Sequence, residues 1–175
     1  MSNTSDLSDD PLLKALAQSD ELIRSKRAER IRWLSGCRTD VGVILGPIET
    51  MALLSEAGEC FINGHFIATI LLAVAFIEHT LTDELSAKGA AAPFASAIKA
   101  AREQQLFPEA ILEWTDKLRL RRNPFCHRKP EGHKHSFGAR FLTRREHPQK
   151  ILEEDAKEAL SLMYAFFQLT VKIGV

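Results

Sequence analysis

Apolar positions along the chain recur with the period of a helix and hardly ever alternate. From His65 to about Leu85, "HFIATILLAVAFIEHTLTDEL" places Ile70, Val74, Ile77 and Leu81 four, three and four residues apart, the spacing of one helical face. Its first half is apolar nearly all round, which predicts a central helix enclosed by others. Upstream, Pro47 to Cys60 ("PIETMALLSEAGEC") is rich in good helix formers. Pro47 suits a first helical position, where a missing N–H costs nothing, and "INGH" supplies the turn between the two helices. Downstream, "FASAIKAAREQQ" and "PEAILEWTDKLRLRR" read as two shorter helices. A long amphipathic helix runs from about Gln149 to Lys172, with Leu152, Ala156, Ala159, Met163 and Phe166 on one stripe and Leu160 and Phe167 beside it. The first 34 residues read as one or two polar helices.

These elements predict an all-α protein: an antiparallel up-and-down helical bundle of four to five main helices over residues 41–175, preceded by a helical N-terminal extension over residues 1–40. Between the fourth helix and the last lies "HRKPEGHKHSFGARFLTRREHP", a stretch of 22 residues with little apolar periodicity, expected to be a long mobile loop. Apolar residues make up 45% and charged residues 26% of the 175, a composition that supports one globular domain and argues against disorder. The most apolar run, Phe66 to Ile77, covers 12 residues, fewer than the roughly 20 that cross a bilayer, so no membrane partner is expected. Three cysteines, Cys37, Cys60 and Cys126, form no CxxC pair, and the polar, acidic start lacks the basic and apolar regions of a signal peptide. Both features predict a cytoplasmic protein.

Formal net charge is zero, but the charge is unevenly placed. Residues 117–145 hold ten Lys or Arg and one acid, Glu131, whereas residues 1–23 hold five acids and one lysine. The basic segment is the candidate contact for an anion. Within it, "LRLRRNPFCHRKP" sets basic side chains around an Asn-Pro step and His127.

Arg122, Asn123 and His127 satisfy Arg-Asn-x-x-x-His, and this motif resembles the Arg-x4-6-His signature of HEPN domains (higher eukaryotes and prokaryotes nucleotide-binding). The similarity extends over roughly residues 45–172: "SEAGECFINGHFIATILLAVAFIEHTLTDEL" looks like the paired first helices of such domains, and "DAKEALSLMYAFF" like their closing helix. The resemblance implies a homodimer that brings two motifs into one cleft. It also implies a metal-independent endoribonuclease needing no cofactor, of the kind found in toxin or defence systems with an antitoxin or other protein partner. A catalytically inactive bundle that binds nucleotides or proteins is the alternative. By the same resemblance Arg122 and His127 match the catalytic pair, Asn123 the polar residue beside the arginine, and Glu78 an acidic residue facing the motif.

The chemistry fits these residue types. Cleavage of RNA by its own 2′-hydroxyl needs a base, an acid and positive charge on the phosphorane. Histidine serves the first two roles and a guanidinium, with its forked donors, the third. The RNA-binding set would be Arg119, Arg121, Arg128, Lys129, Lys134, Arg140, Arg144 and Arg145, with Phe125, Phe137 and Phe141 as aromatic candidates for base stacking. Residues five apart on a helix differ by about 140° in direction, so Arg122 and His127 share no face of an unbroken helix. Pro124 predicts a kink or break here, with Asn123 capping a new turn. Cys126, His127, His133 and His135 are potential metal ligands, but their strongly basic surroundings repel a cation and no metal is expected.

Overall fold

The computed structural model describes residues 10–37, 47–86, 93–128, 130, 133 and 136–170. Over these residues the chain is all-α, with no strand and seven helices: α1 (Pro11–Cys37), α2 (Ile48–Asn63), α3 (Phe66–Ser86), α4 (Phe94–Glu103), α5 (Glu109–Cys126), α6 (Phe137–Arg144) and α7 (Pro148–Thr170). The polar N-terminal stretch forms one continuous helix. Prolines 47, 93 and 108 each sit at the N-cap of the helix that follows, one position before the first-turn site anticipated for Pro47. Two residues of the chain's "INGH" turn end α2 and begin the next connection: Gly64 takes the left-handed conformation at φ 82°, and the His65 N–H donates to the Cys60 carbonyl at 2.8 Å. The positive φ favours glycine there, and a Cβ would in addition lie 2.9 Å from Arg30 Nη1 and displace that guanidinium.

Central position falls to α3. It packs most extensively against α2 and α7 and also touches α4 and α5, as an all-round apolar helix must if its surface is to leave water. Phe66, Ile70, Ala73, Val74, Phe76, Ile77 and Leu81 are all buried. By length and apolarity Phe66–Leu85 would suffice to span a bilayer. By composition the apolar span is thus longer than the 12-residue run suggests, and within it Thr80 and Thr82 turn their hydroxyls back to the Phe76 and Glu78 carbonyls. Aromatic contacts extend the core toward both ends. Phe107 meets Phe166 at 4.8 Å between ring centroids, and Trp33 of α1 meets Phe61 of α2 at 5.0 Å.

The segment expected to be a long loop is not all loop. Ser136 accepts a hydrogen bond from the Ala139 N–H and so caps α6. The helix is short and carries no buried residue, and eight residues are too few for their amphipathic period to stand out in a sequence reading. What anchors it is charge. Arg140 grips the Asp155 carboxylate with both terminal nitrogens, at 2.6 and 2.7 Å.

Asp155 itself lies on the core stripe of α7, between Ile151 and Ala159, and its side chain is only 3% exposed. A second arginine, Arg121 of α5, approaches it at 3.5 Å. A carboxylate out of water is tolerated only when its charge is met by well-placed donors, and removing that charge leaves its arginines stranded. Asp155→Asn is therefore expected to lower the free energy of unfolding by about 3 kcal/mol. Glu158→Gln, which removes the exposed partner of Arg121, should cost less than about 1 kcal/mol. Urea denaturation of the two variants, followed by circular dichroism, checks both values.

Candidate functional site at the end of the fifth helix

Leu112, Thr115 and Leu118 form the buried face of α5, and Arg122, four residues on, continues it. That placement carries the guanidinium inward to α3. Its Nη2 donates to Glu78 Oε2 at 3.1 Å, its side chain is 18% exposed, and it stands 6.0 Å from the centroid of the Phe94 ring. Glu78 and Arg122, 44 residues apart in the chain, are thus brought together by the packing of α3 against α5.

The break expected at Pro124 does not occur there. The helix continues through it to Cys126, although Pro124 has no N–H to donate to the Leu120 carbonyl four residues back. Asn123 caps no new turn; its carbonyl instead accepts the His127 N–H at 2.8 Å. His127 is the C-cap residue, extended at φ −135° and ψ 125°, and it is exposed. Its side chain has no hydrogen bond or ion pair among the described residues. The chain thus leaves the helix at His127, after Cys126 and three residues beyond Pro124.

Most of the arginines assigned to RNA are already engaged. Arg119 bonds Asp116 at 2.8 Å. Arg121 pairs with Glu158 as well as Asp155, Arg140 with Asp155, and Arg144 with Glu146 and with Glu154, the latter at 2.5 Å. Arg128 and Arg145 are exposed and show no acidic partner among the described residues. Lys129 and Lys134 lie outside the described residues. Phe125 packs on Phe137 at 6.0 Å between centroids, so two of the three candidate stacking rings cover each other, while Phe141 is 37% exposed.

The acids that meet these arginines, Glu146, Glu154, Asp155 and Glu158, were not singled out by the sequence reading. Three of them, Glu154, Asp155 and Glu158, lie in the run "EEDAKE" on α7, a block of opposite sign to the basic segment before it. No group of His, Cys, Asp and Glu suited to a metal ion occurs among the described residues. Burial pushes the Cys37 and Cys60 thiols up from their ordinary range. A separate open cleft of about 670 Å³ lies where α1 crosses the turn between α2 and α3 and the start of α7. Its walls carry both signs of charge, and Arg30 is held there by the Ile62 carbonyl and the Phe66 ring.

No protein-family model, no curated protein and no solved structure matches this chain.

At the α6–α7 junction, the Lys150 ammonium and then the Arg144 guanidinium hold the Glu146 carboxyl below its ordinary value of 4.5. A carboxyl whose pKa is lower folded than unfolded contributes stability fully above its unfolded value and loses it as pH falls through the folded one. Amide exchange over residues 144–150 is therefore expected to be constant from neutrality down to about pH 4.5, after allowance for the intrinsic rate, and to quicken below it. Glu146→Gln should show the faster exchange at neutral pH, with the difference vanishing at low pH, where Glu146 is itself neutral.

Proposed function

We propose that the chain is a HEPN-type, cytoplasmic, metal-independent endoribonuclease, an up-and-down bundle acting as a homodimer through Arg122 and His127. The observation that supports this reading best is the Arg122–Glu78 pair beside an exposed His127. One arginine is fixed by an acid from a neighbouring helix, and five residues on an imidazole faces solvent at the helix end. In the proposed reaction, His127 removes the proton of the ribose 2′-hydroxyl and the 2′-oxygen attacks phosphorus. The bond to the 5′-oxygen breaks, and that oxygen leaves with a proton from the imidazolium of the second copy. The products are a 2′,3′-cyclic phosphate and a 5′-hydroxyl. Arg122 offers five N–H donors, and the contact with Glu78 at Nη2 leaves donors for the phosphorane oxygens. Glu78 acts as a positioning residue, and Asn123 orients the helix end.

A second reading, a catalytically silent HEPN bundle that binds nucleotide or protein, is favoured by a different observation. Arg119, Arg121, Arg140 and Arg144 are all matched by acids of their own chain. Under the ribonuclease reading, phosphate contacts are left mainly to Arg128 and Arg145, with Lys129 and Lys134 as the remaining candidates. A charge-reversed Arg140 would set an acid against buried Asp155, so it tests folding rather than binding.

Incubation of the purified full chain with mixed cellular RNA in excess EDTA should give cleavage under the ribonuclease reading and none under the silent one. His127→Ala is expected to lower the rate by about 10² to 10⁴ with helical content unchanged. Arg122→Lys should also be severely slowed, because an ammonium lacks the forked donors. Parent rates in both variants would assign the activity to a contaminant.

RNA affinity should fall steeply with rising salt as phosphate counterions are released. Arg128→Glu with Arg145→Glu should weaken it further without unfolding the bundle, both side chains being exposed. Affinity indifferent to salt and to these changes would remove the electrostatic basis of the RNA reading.

A further inference from the structure

The first helix is divided. Its last third belongs to the bundle: Leu34 is buried and Trp33 and Cys37 pack against the core, and Arg30 is held over the Phe66 ring. Its first 17 residues, Pro11 to Arg27, are exposed throughout. At 1.5 Å per residue these make an arm about 25 Å long.

The arm carries the same seam as the root. Leu12, Leu16, Ser19, Ile23, Lys26, Arg30, Trp33 and Cys37 alternate four and three residues apart, which keeps them on one side of a helix and is the spacing by which one helix packs along another. The bundle fills the seam from Arg30 onward. Above that point Leu12 (65% exposed), Leu16 (51%) and Ile23 (41%) continue it into solvent.

Charge decides what covers it. Residues 10–21 hold three acids (Asp10, Asp20, Glu21) and one base, Lys14, while residues 22–33 hold five bases (Arg24, Lys26, Arg27, Arg30, Arg32) and one acid, Glu29. Two such helices laid parallel set like charge on like; laid antiparallel with Leu12 of one against Ile23 of the other, they set Lys14 against Glu21 and Asp10 beside Lys26. The basic half borders the cleft at the root, where Lys150 and Lys157 are already paired with Glu146 and Glu153, so Lys26 and Arg27 are the bases that meet a second copy.

We propose that the arm of α1 is a self-association surface, pairing antiparallel with α1 of a second copy of this chain through Leu12, Leu16 and Ile23. The pairing does not rest on the ribonuclease reading and is separate from the α5 contact that reading invokes.

Sedimentation equilibrium on the full chain, from about 1 to 200 μM, tests it. The parent is expected to show a reversible association step, from monomer to dimer or, where α5 also pairs, from dimer to tetramer, and Leu16→Glu with Ile23→Glu should raise the dissociation constant of that step at least roughly tenfold. Helical content and unfolding midpoint should stay unchanged, since both side chains are exposed. Glu21→Lys should weaken the association, and Lys14→Glu added to it should restore it, because an antiparallel seam that sets Leu12 against Ile23 also sets residue 14 against residue 21. A parent that stays monomeric throughout the range overturns the proposal. So does association that Leu16→Glu with Ile23→Glu leaves unchanged, whereas loss of one step with a residual dimer assigns the lost step to α1 and the residual dimer to another surface such as α5. Failure of the Lys14→Glu, Glu21→Lys exchange to restore association overturns the antiparallel arrangement.

Discussion

The burial of α3 is the constraint on which the rest of the structure depends. A helix apolar on every side cannot rest on a surface; it must be enclosed. Enclosure by α2, α7, α4 and α5 uses nearly all the long helices the chain can form, and α1 is left with only its C-terminal third in contact with the body. The same packing fixes the candidate site. Glu78 lies toward the end of α3, where the apolar run gives way to polar residues, and α5 presents Arg122 as the continuation of its buried face. The pair is a by-product of enclosure, and its part-buried setting makes the approach of the two charges stronger than the same pair would be in open water.

A second constraint acts through charge. The basic stretch from Lys117 to Arg145 and the acids of α7 are of opposite sign, and the fold lays one on the other. Asp155 is the pivot: buried, met by arginines from α5 and α6, it ties the only helix that lacks a buried face to the bundle. A sequence-local excess of positive charge therefore does not translate into an equal excess on the surface. Four arginines that look like an anion-binding patch in one dimension serve as internal ion-pair partners in three, and the electrostatic potential available to a phosphate chain is correspondingly reduced.

Much of the architecture was legible because helical periodicity over long segments is a strong signal. The span of α3, the stripe of α7 and the proline that opens α2 all follow from spacing and from backbone chemistry. Three features did not follow, each for a physical reason. The helix α6 is only eight residues long and is held mainly by Arg140 and a serine cap, so its period, though amphipathic, spans too little chain to stand out. Asp155 occupies an apolar stripe position, where a polar residue reads as solvent-facing until its two arginines are seen to converge. At Pro124 the missing N–H marks a place where a helix can end without fixing where it does end, and α5 runs on to Cys126. At the site, the nearness of Glu78 to Arg122 was anticipated from resemblance alone; no pattern within the sequence pairs residues 44 apart.

The end of α5 shows why spacing cannot by itself decide whether an arginine and a histidine work together. On a continuous helix the two would diverge by about 140°, so the five-residue interval becomes useful only if the backbone changes course between them. Here it does so at the last possible point, where His127 turns extended after the Asn123 carbonyl closes the final turn. Arg122 is consequently set by the packed interior and His127 by a solvent-exposed cap. One member of the pair has its position imposed by α3, while the other is free to meet whatever binds at the helix end. A substrate or a second copy that engages that end would order the imidazole without disturbing the guanidinium. Joint action by the two groups therefore depends on what docks against the C-terminus of α5 more than on any further change within the bundle.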